Sequence, residues 1–347
     1  MATGYRVAVV GATGAVGEEF LRLLEERRWR VSDLRLLASG RSAGRRIPFM
    51  GDAVTVREAG PDAFDGVDVA FFSAGASVSR ELAPQAARRG ALVIDNSSAF
   101  RLEDDVPLVV PEINLEDARH HHGIIANPNC STIILAVALW PLHRCATVRR
   151  VVVSTYQAVS GAGARAMAEL LEELRAYFSG EPYEPRILPY AGAPRHYPIA
   201  FNVIPQVDSF AQAGYTREEW KMVHETRKIF HDPSLRISAT TVRVPVLRSH
   251  SESINVEFAR PLSPDEARSI LSGAPGVRVV DDPAAQLYPM PLDSSGSDPV
   301  LVGRIREDVS LPGALNLWVV GDQIRKGAAL NAIQIAEGLG MGSSGTA

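Results

Sequence analysis

The first third of the chain sorts its apolar residues into short, uninterrupted runs. Residues 6–10, 34–38, 67–72 and 91–95 have strand length, while residues 16–28 repeat their apolar positions at helical spacing. Residues 83–89 read as part of a helix between two of those runs. A run that is apolar throughout, rather than at every second residue, suits a strand covered on both faces. Strand and helix in alternation predict a doubly wound parallel sheet.

Beyond Cys130 the pattern changes. Residues 133–140 predict a buried helix, residues 149–157 a Val-rich strand, and residues 164–178 a helix with Glu172, Glu173 and Arg175 on its wet side. Residues 182–205 hold six prolines and predict a loop. Residues 216–230 are amphipathic, with Thr216 in the N-cap position. Residues 237–246, 253–259, 277–280 and 315–320 read as strands, and a last helix, about residues 324–339, follows a Gly321-Asp322 turn. Strands separated by long insertions predict a mixed, partly antiparallel sheet. The expected fold class is α/β: a Rossmann-like doubly wound dinucleotide-binding domain over residues 1–130, completed by residues 323–340, plus an α+β mixed-sheet domain over residues 131–322.

Composition narrows the class. With 347 residues, 46% hydrophobic and 22% charged, the chain has the mix of a soluble globular protein, which excludes wholesale disorder and fibrous classes. Lys+Arg is 36 and Asp+Glu is 40, and the net charge of −4 gives no reason to expect nucleic acid or an anionic membrane as a partner. The longest apolar stretch, residues 133–140, is far short of the roughly 20 residues of a membrane helix. Two cysteines make no disulfide framework. The chain runs from Met-Ala-Thr-Gly-Tyr-Arg straight into an apolar strand, with no leader pattern, so a cytoplasmic protein is expected. The Gly/Ser-rich residues 340–347 read as a frayed end.

Candidate chemistry starts at the first strand. Gly11-Ala12-Thr13-Gly14-Ala15-Val16-Gly17 lies between a strand and a helix, the setting in which a glycine motif binds a dinucleotide. Gly11 permits the tight turn, Gly14 the approach of backbone to a pyrophosphate, and Gly17 close packing of helix on strand. Free N–H groups at the helix start attract the phosphates. The second strand ends in Leu37-Ala38-Ser39-Gly40-Arg41-Ser42. No acid is present there to take a ribose hydroxyl, and Arg41 with Ser39 and Ser42 suits a 2′-phosphate, so NADP is favoured. An ordinary surface arginine is the alternative for Arg41. Ser73 and Gly75 follow another strand, at the carboxyl edge where such sheets bind ligand.

Asn127-Pro128-Asn129-Cys130-Ser131-Thr132 leads into the apolar residues 133–140, so Cys130 stands at or near the first turn of a helix. That position favours a thiolate, suited to attack an acyl carbon, with helix N–H groups to receive an oxyanion. A small buried cysteine is the other reading, and the one that Cys145 suggests. His250 is expected on a turn between two strand-like runs. The His120-His121-His122 run reads as a solvated loop. His224-Glu225 lacks the partner spacing of a zinc helix, so no metal is expected.

The motifs Gly11–Gly17, Asn127–Thr132, Thr155-Tyr-Gln-Ala-Val-Ser-Gly-Ala-Gly163 and Arg243-Val-Pro-Val-Leu-Arg-Ser-His-Ser251 occur in this order. Together with Phe201-Asn-Val-Ile-Pro-Gln206, Glu218-Glu-Trp-Lys221 and Arg325-Lys-Gly-Ala-Ala329, they resemble the bacterial aspartate-β-semialdehyde dehydrogenases over about residues 5–340. The cysteine and histidine motifs are specific, whereas the glycine motif is widely shared.

The resemblance implies a reversible NADP-dependent reaction between L-aspartyl 4-phosphate and L-aspartate 4-semialdehyde, on the path to lysine, threonine, methionine and diaminopimelate. It implies Cys130 as nucleophile through a thioester, His250 as acid/base and Gln157 as the group that orients thiol and carbonyl. It implies Arg243 on the α-carboxylate and Glu218 on the α-ammonium, with Glu219 left open as the inward residue instead. Arg101 and Lys221 would hold phosphate, with Asn96 and Ser98 adding hydrogen bonds. Ser160, Gly161 and Asn331 would approach the nicotinamide. The second domain would serve substrate binding and dimerisation, with the active site at the junction of the domains. A homodimer is implied, and a tetramer also occurs in the family. The rivals are N-acetyl-γ-glutamyl-phosphate reductase, with the same chemistry on a longer substrate, and a catalytically dead NADP-binding paralogue.

Overall fold

The computed structural model describes residues 4–342, so the predicted fraying of residues 343–347 lies outside the described residues. The chain divides into two compact units. One holds the chain up to Asn129 and again from Ala328, and the other is Cys130–Gly327.

The first unit is built on a six-stranded parallel sheet. Its strands are Tyr5–Val10 (β1), Val31–Ala38 (β2), Arg57–Glu58 (β3), Val69–Phe72 (β4), Leu92–Asp95 (β5) and Ile124–Ala126 (β6). The order β3-β2-β1-β4-β5-β6 reverses at β1, which is the doubly wound topology. The strands are apolar throughout because helices cover both faces; Val69–Phe72 is wholly buried. Helix α1 (Ala15–Glu26) presents Phe20, Leu21, Leu23 and Leu24 to the sheet, with Phe20 stacked on Phe71 at 4.9 Å. Helix α2 (Ala76–Arg88) includes the helical segment expected from residue 83 and extends two turns before it. Pro84 lies inside this helix, and the turns before it carry Ser77 and Ser79, with Ser79 buried on Asp95 at 2.7 Å. The C-terminal helix Leu330–Gly338 completes this core: Glu337 takes Trp29 Nε1 at 3.0 Å and Arg27 Nε at 2.8 Å.

The second unit holds a mixed sheet of Val148–Gln157 (β7), Arg236–Arg243 (β8), His250–Phe258 (β9), Val277–Val279 (β10), Val300–Glu307 (β11) and Leu315–Gly321 (β12). The order is β8-β7-β9-β12-β11-β10, parallel at its two edges and antiparallel in the middle. Helix α3 (Cys130–Ala146) is apolar on nearly every face because it is buried nearly all round. A Cβ at Gly321 would lie 2.6 Å from Ile134, so glycine is what lets this helix lie close on β12.

Several expectations change here. Strand β8 stops at Arg243, not 246: Val244 N still reaches Gln157 O on β7, but Pro245 has no N–H to carry the ladder further. Strand β9 starts at His250 rather than 253, β11 was not foreseen, and Ser263 with Glu266 caps an unforeseen helix, Pro264–Ser272. In helix α4 (Ala164–Ser179), Glu173 is not on the wet side: it is buried, accepting Ile199 N and Ala200 N, while Glu169 accepts Arg186 N and Ile187 N. These carboxylates pin the proline-rich loop. Helix α5 (Arg217–Ile229) carries the Thr216 cap. Residues 323–327 belong to the second unit rather than the first, because Gln323 accepts Ser249 N at 2.8 Å and Arg325 pairs with Asp298.

Candidate active site

Three strand ends meet in the second unit. Gln157 closes β7, Arg243 stands beside it in register on β8, and His250 opens β9. The backbone of Ala158 ties two of them together. Its carbonyl accepts Arg243 Nη1 at 2.7 Å, and its N–H donates to His250 Nδ1 at 3.1 Å. Gly161 leaves space between them: a Cβ there would lie 2.8 Å from Arg243 Nη1 and 3.2 Å from His250 Nε2. Gln323 braces this turn from behind, donating to Ser160 and accepting Ser249 N, the residue before the imidazole. Ser249 has φ of 75°, a left-handed conformation that a serine holds only when its surroundings enforce it.

His250 was expected on a turn; it is instead the first residue of β9 and fully buried. Because Nδ1 accepts a backbone N–H, the neutral ring carries its proton on Nε2. That Nε2 is buried without a partner. Burial holds the imidazole down to about 3, with Arg243 adding to the effect and Glu218 opposing it. The ring is therefore neutral, with a free donor. Arg243 is pushed below its ordinary value by burial, against the opposing charges of Glu218 and Cys130. Its Nε, also buried, has no partner.

Cys130 is the first residue of α3 and partly exposed, and a Cβ at Gly327 would lie 3.0 Å from its own Cβ. Gln157 Nε2 donates to Ser131 Oγ at 2.6 Å and to Glu218 Oε1 at 3.2 Å. Of the two adjacent acids, Glu218 faces Gln157, whereas Glu219 closes the capping box with Thr216 and takes Thr241 N at 2.9 Å. Lys221 bridges Glu218 at 3.0 Å and Asp208 at 2.9 Å. Cys145 is exposed, not buried as expected.

The remaining predicted substrate residues lie in the first unit. Asp95 ends β5 and holds the following turn through Ser97 Oγ at 2.7 Å. Beyond that turn, buried Arg101 donates to the carbonyls of Asn96 and Asn127, both at 2.9 Å. Asn96 Oδ1 accepts Asn127 Nδ2 at 2.7 Å, while Ser98 is exposed. Ser97, not singled out by sequence, is the buried serine that shapes this turn.

A cleft of about 640 Å³ opens at the reversal point of the first sheet. Gly11, Thr13, Gly14, Ser39, Arg41 and Ser73 line it. Any Cβ at Gly11 would overlap the Ser73 carbonyl, and any at Gly17 the Gly11 carbonyl, so both glycines are required by close approach. This cradle and the uncapped start of α1 at Gly14 fit a dinucleotide pyrophosphate. Ala15, Val16 and Gly17 form the helix start rather than the wall; Ser42 stands behind it, 3.5 Å from Thr13 Oγ1, and Gly75 precedes α2. Asn331 is not on this wall: its amide donates to Val109 O and Asn127 Oδ1. Ser160 and Gly161 lie beside His250 in the second unit. Among the described residues, no cluster of His, Cys, Asp or Glu is arranged to hold a metal, and no helix is long and apolar enough to cross a membrane.

A cleft that fits a dinucleotide on one unit and a cysteine, histidine and arginine set on the other are the parts of a cofactor-dependent oxidoreductase. The family description "Semialdehyde dehydrogenase, NAD binding domain" matches residues 6–121, and "Semialdehyde dehydrogenase, dimerisation domain" matches residues 139–326. An aspartate-semialdehyde dehydrogenase of Bacillus subtilis (strain 168) is 52% identical over 340 residues, covering 98% of each chain. A Vibrio cholerae aspartate semialdehyde dehydrogenase II complexed with ASA has a TM-score of 0.92 at 44% identity, covering 97% of this chain and 98% of that one. A Candida albicans enzyme of the same name, with NADP, has a TM-score of 0.72 at 27% identity, covering 97% and 99%. The chain belongs to the aspartate-semialdehyde dehydrogenase family.

Proposed function

We propose that the chain catalyses the reversible, NADP-dependent reductive dephosphorylation of L-aspartyl 4-phosphate to L-aspartate 4-semialdehyde, in the cytoplasm, on the path to lysine, threonine, methionine and diaminopimelate. The observation that carries this is the convergence of Gln157, Arg243 and His250, with a buried donor unused on the imidazole and a buried guanidinium Nε unused on the arginine.

Cys130 attacks the acyl carbon as thiolate, phosphate leaves, and a thioester remains. NADPH, when bound, would supply the hydride for reduction of the thioester. The thiohemiacetal oxyanion then collapses to aldehyde and returns the thiolate. The thiolate is regenerated, and the one proton consumed per reduction is taken up from solvent by the departing phosphate, which ends as HPO4²⁻. His250, neutral with its proton on Nε2, acts as a donor: its Nε2–H holds the oxyanion in both tetrahedral states. This refines the acid/base role implied by the family. Gln157 orients the carbonyl beside Cys130. Arg243 grips the α-carboxylate with its unused Nε, and Glu218, fixed between Gln157 and Lys221, receives the α-ammonium. Arg101 and Lys221 hold the phosphate, and Asn96 and Ser98 add hydrogen bonds.

In the first unit, Gly11, Thr13, Gly14 and Ser73 receive the pyrophosphate, and Ser39, Arg41 and Ser42 the 2′-phosphate. The dinucleotide match and the NADP held by the Candida relative support this. A homodimer through the second unit is supported by the dimerisation-domain match, and light scattering would separate it from a tetramer. The test of function is NADP+ reduction by L-aspartate 4-semialdehyde, with and without phosphate. Phosphate-dependent NADPH formation, lost in Cys130→Ala, is expected. A folded, NADP-binding protein without activity would shift the reading to a longer acyl phosphate.

A further inference from the structure

The case for NADP rests on β2 ending without an acid, yet the fold brings one there from the neighbouring strand. Strand β3 pairs in parallel with the end of β2, setting Glu58 opposite Ala38, and Ala59 N donates to Ala38 O at 2.8 Å. Glu58 lines the same cleft as Ser39 and Arg41. A Cβ at Gly40 would lie 2.9 Å from Glu58 Oε1, so the carboxylate stands against the turn that carries Arg41 and Ser42. Among the described residues, neither Arg41 nor Glu58 makes an ion pair, with the other or with any third group. The cleft also holds Glu81 of α2, so its single cation faces two acids.

The geometry points to Glu58 as a cofactor-specificity residue: its carboxylate opposes the 2′-phosphate that Arg41 attracts, and it accepts the 2′-hydroxyl of NAD, so the cleft takes both dinucleotides. This rests on the reading of the cleft as the dinucleotide site. A carboxylate at the ribose is the feature that selects a free hydroxyl in such folds. Here it arrives on the neighbouring strand, opposite a guanidinium that selects phosphate. The two charges pull the preference in opposite directions.

The test is calorimetric titration of the full chain with NADP+ and NAD+, and with the fragments 2′,5′-ADP and 5′-AMP. In Glu58→Gln, which keeps the shape and removes the charge, the preference for the 2′-phosphorylated ligand rises roughly three- to tenfold at low salt. Glu58→Lys raises it further, and the gain shrinks as salt is added. A preference within twofold of wild type in both variants overturns the proposal. Arg41→Ala in parallel addresses the underlying reading: an unchanged preference there defeats the cleft assignment, a failure distinct from an inert Glu58.

Discussion

The two units solve opposite problems. The cleft of the first is open and shallow in chemistry: glycine backbone, small hydroxyls and side chains that reach into water. The set in the second is buried, and its polar atoms are pinned to backbone, leaving one atom on each of His250 and Arg243 without a partner. An open site tolerates changes of side chain and alters which ligand it prefers. A buried site has no slack, so a change of one atom moves the reacting groups. Variants in the second unit should therefore lower turnover, and variants in the first should alter selectivity.

After the loss of activity expected in Cys130→Ala, the largest effect is at His250. His250→Asn should lower kcat about 10²- to 10³-fold, the size of losing one oxyanion donor, with KM nearly unchanged. Near-normal turnover would remove the imidazole from the chemistry. The wild-type acid limb should show no step at the ordinary imidazole value of 6.5, since His250 stays neutral to about 3. The same shift has a stability sign. Between pH 3 and 6.5 the unfolded chain binds the proton that the folded chain refuses, so stability falls as pH drops through that window. Denaturant titrations should show a shallower fall in His250→Asn.

Next is Gly161→Ala, whose methyl would meet both Arg243 and His250. It should lower kcat by about tenfold or more through misplacement alone. Full activity would mean that the buried set has more freedom than its contacts imply. The smallest effect belongs to the open cleft: Arg41→Ala should reduce the NADP preference about tenfold while kcat stays within a few-fold. A collapse of kcat there would erase the contrast between the units.

Much of this was legible in sequence because apolar runs and glycine spacing act locally. The doubly wound order follows from strand-length runs and short helical segments, and Gly11 and Gly17 are explained by contacts with their immediate surroundings. What was hidden arises where polar residues are buried. Ser249, His250, Ser251 and Glu252 are all nearly inaccessible, so a polar stretch that looks like a turn is the start of a central strand. Glu173 misleads in the same way, serving as a cap for a distant loop. Glu58 could not be found by looking along β2, because parallel pairing delivers it. The 218–219 pair was undecidable from periodicity because both acids are buried; the capping box takes Glu219 and leaves Glu218 facing Gln157.

The most direct test of the account is a single-turnover measurement without phosphate. The protein is mixed with L-aspartate 4-semialdehyde and NADP+, and intact mass and absorbance are recorded together. One equivalent of NADPH should form in a burst while an aspartyl thioester accumulates on Cys130, and added phosphate should release it. A burst with no adduct on Cys130, or an adduct on another residue, would contradict the account.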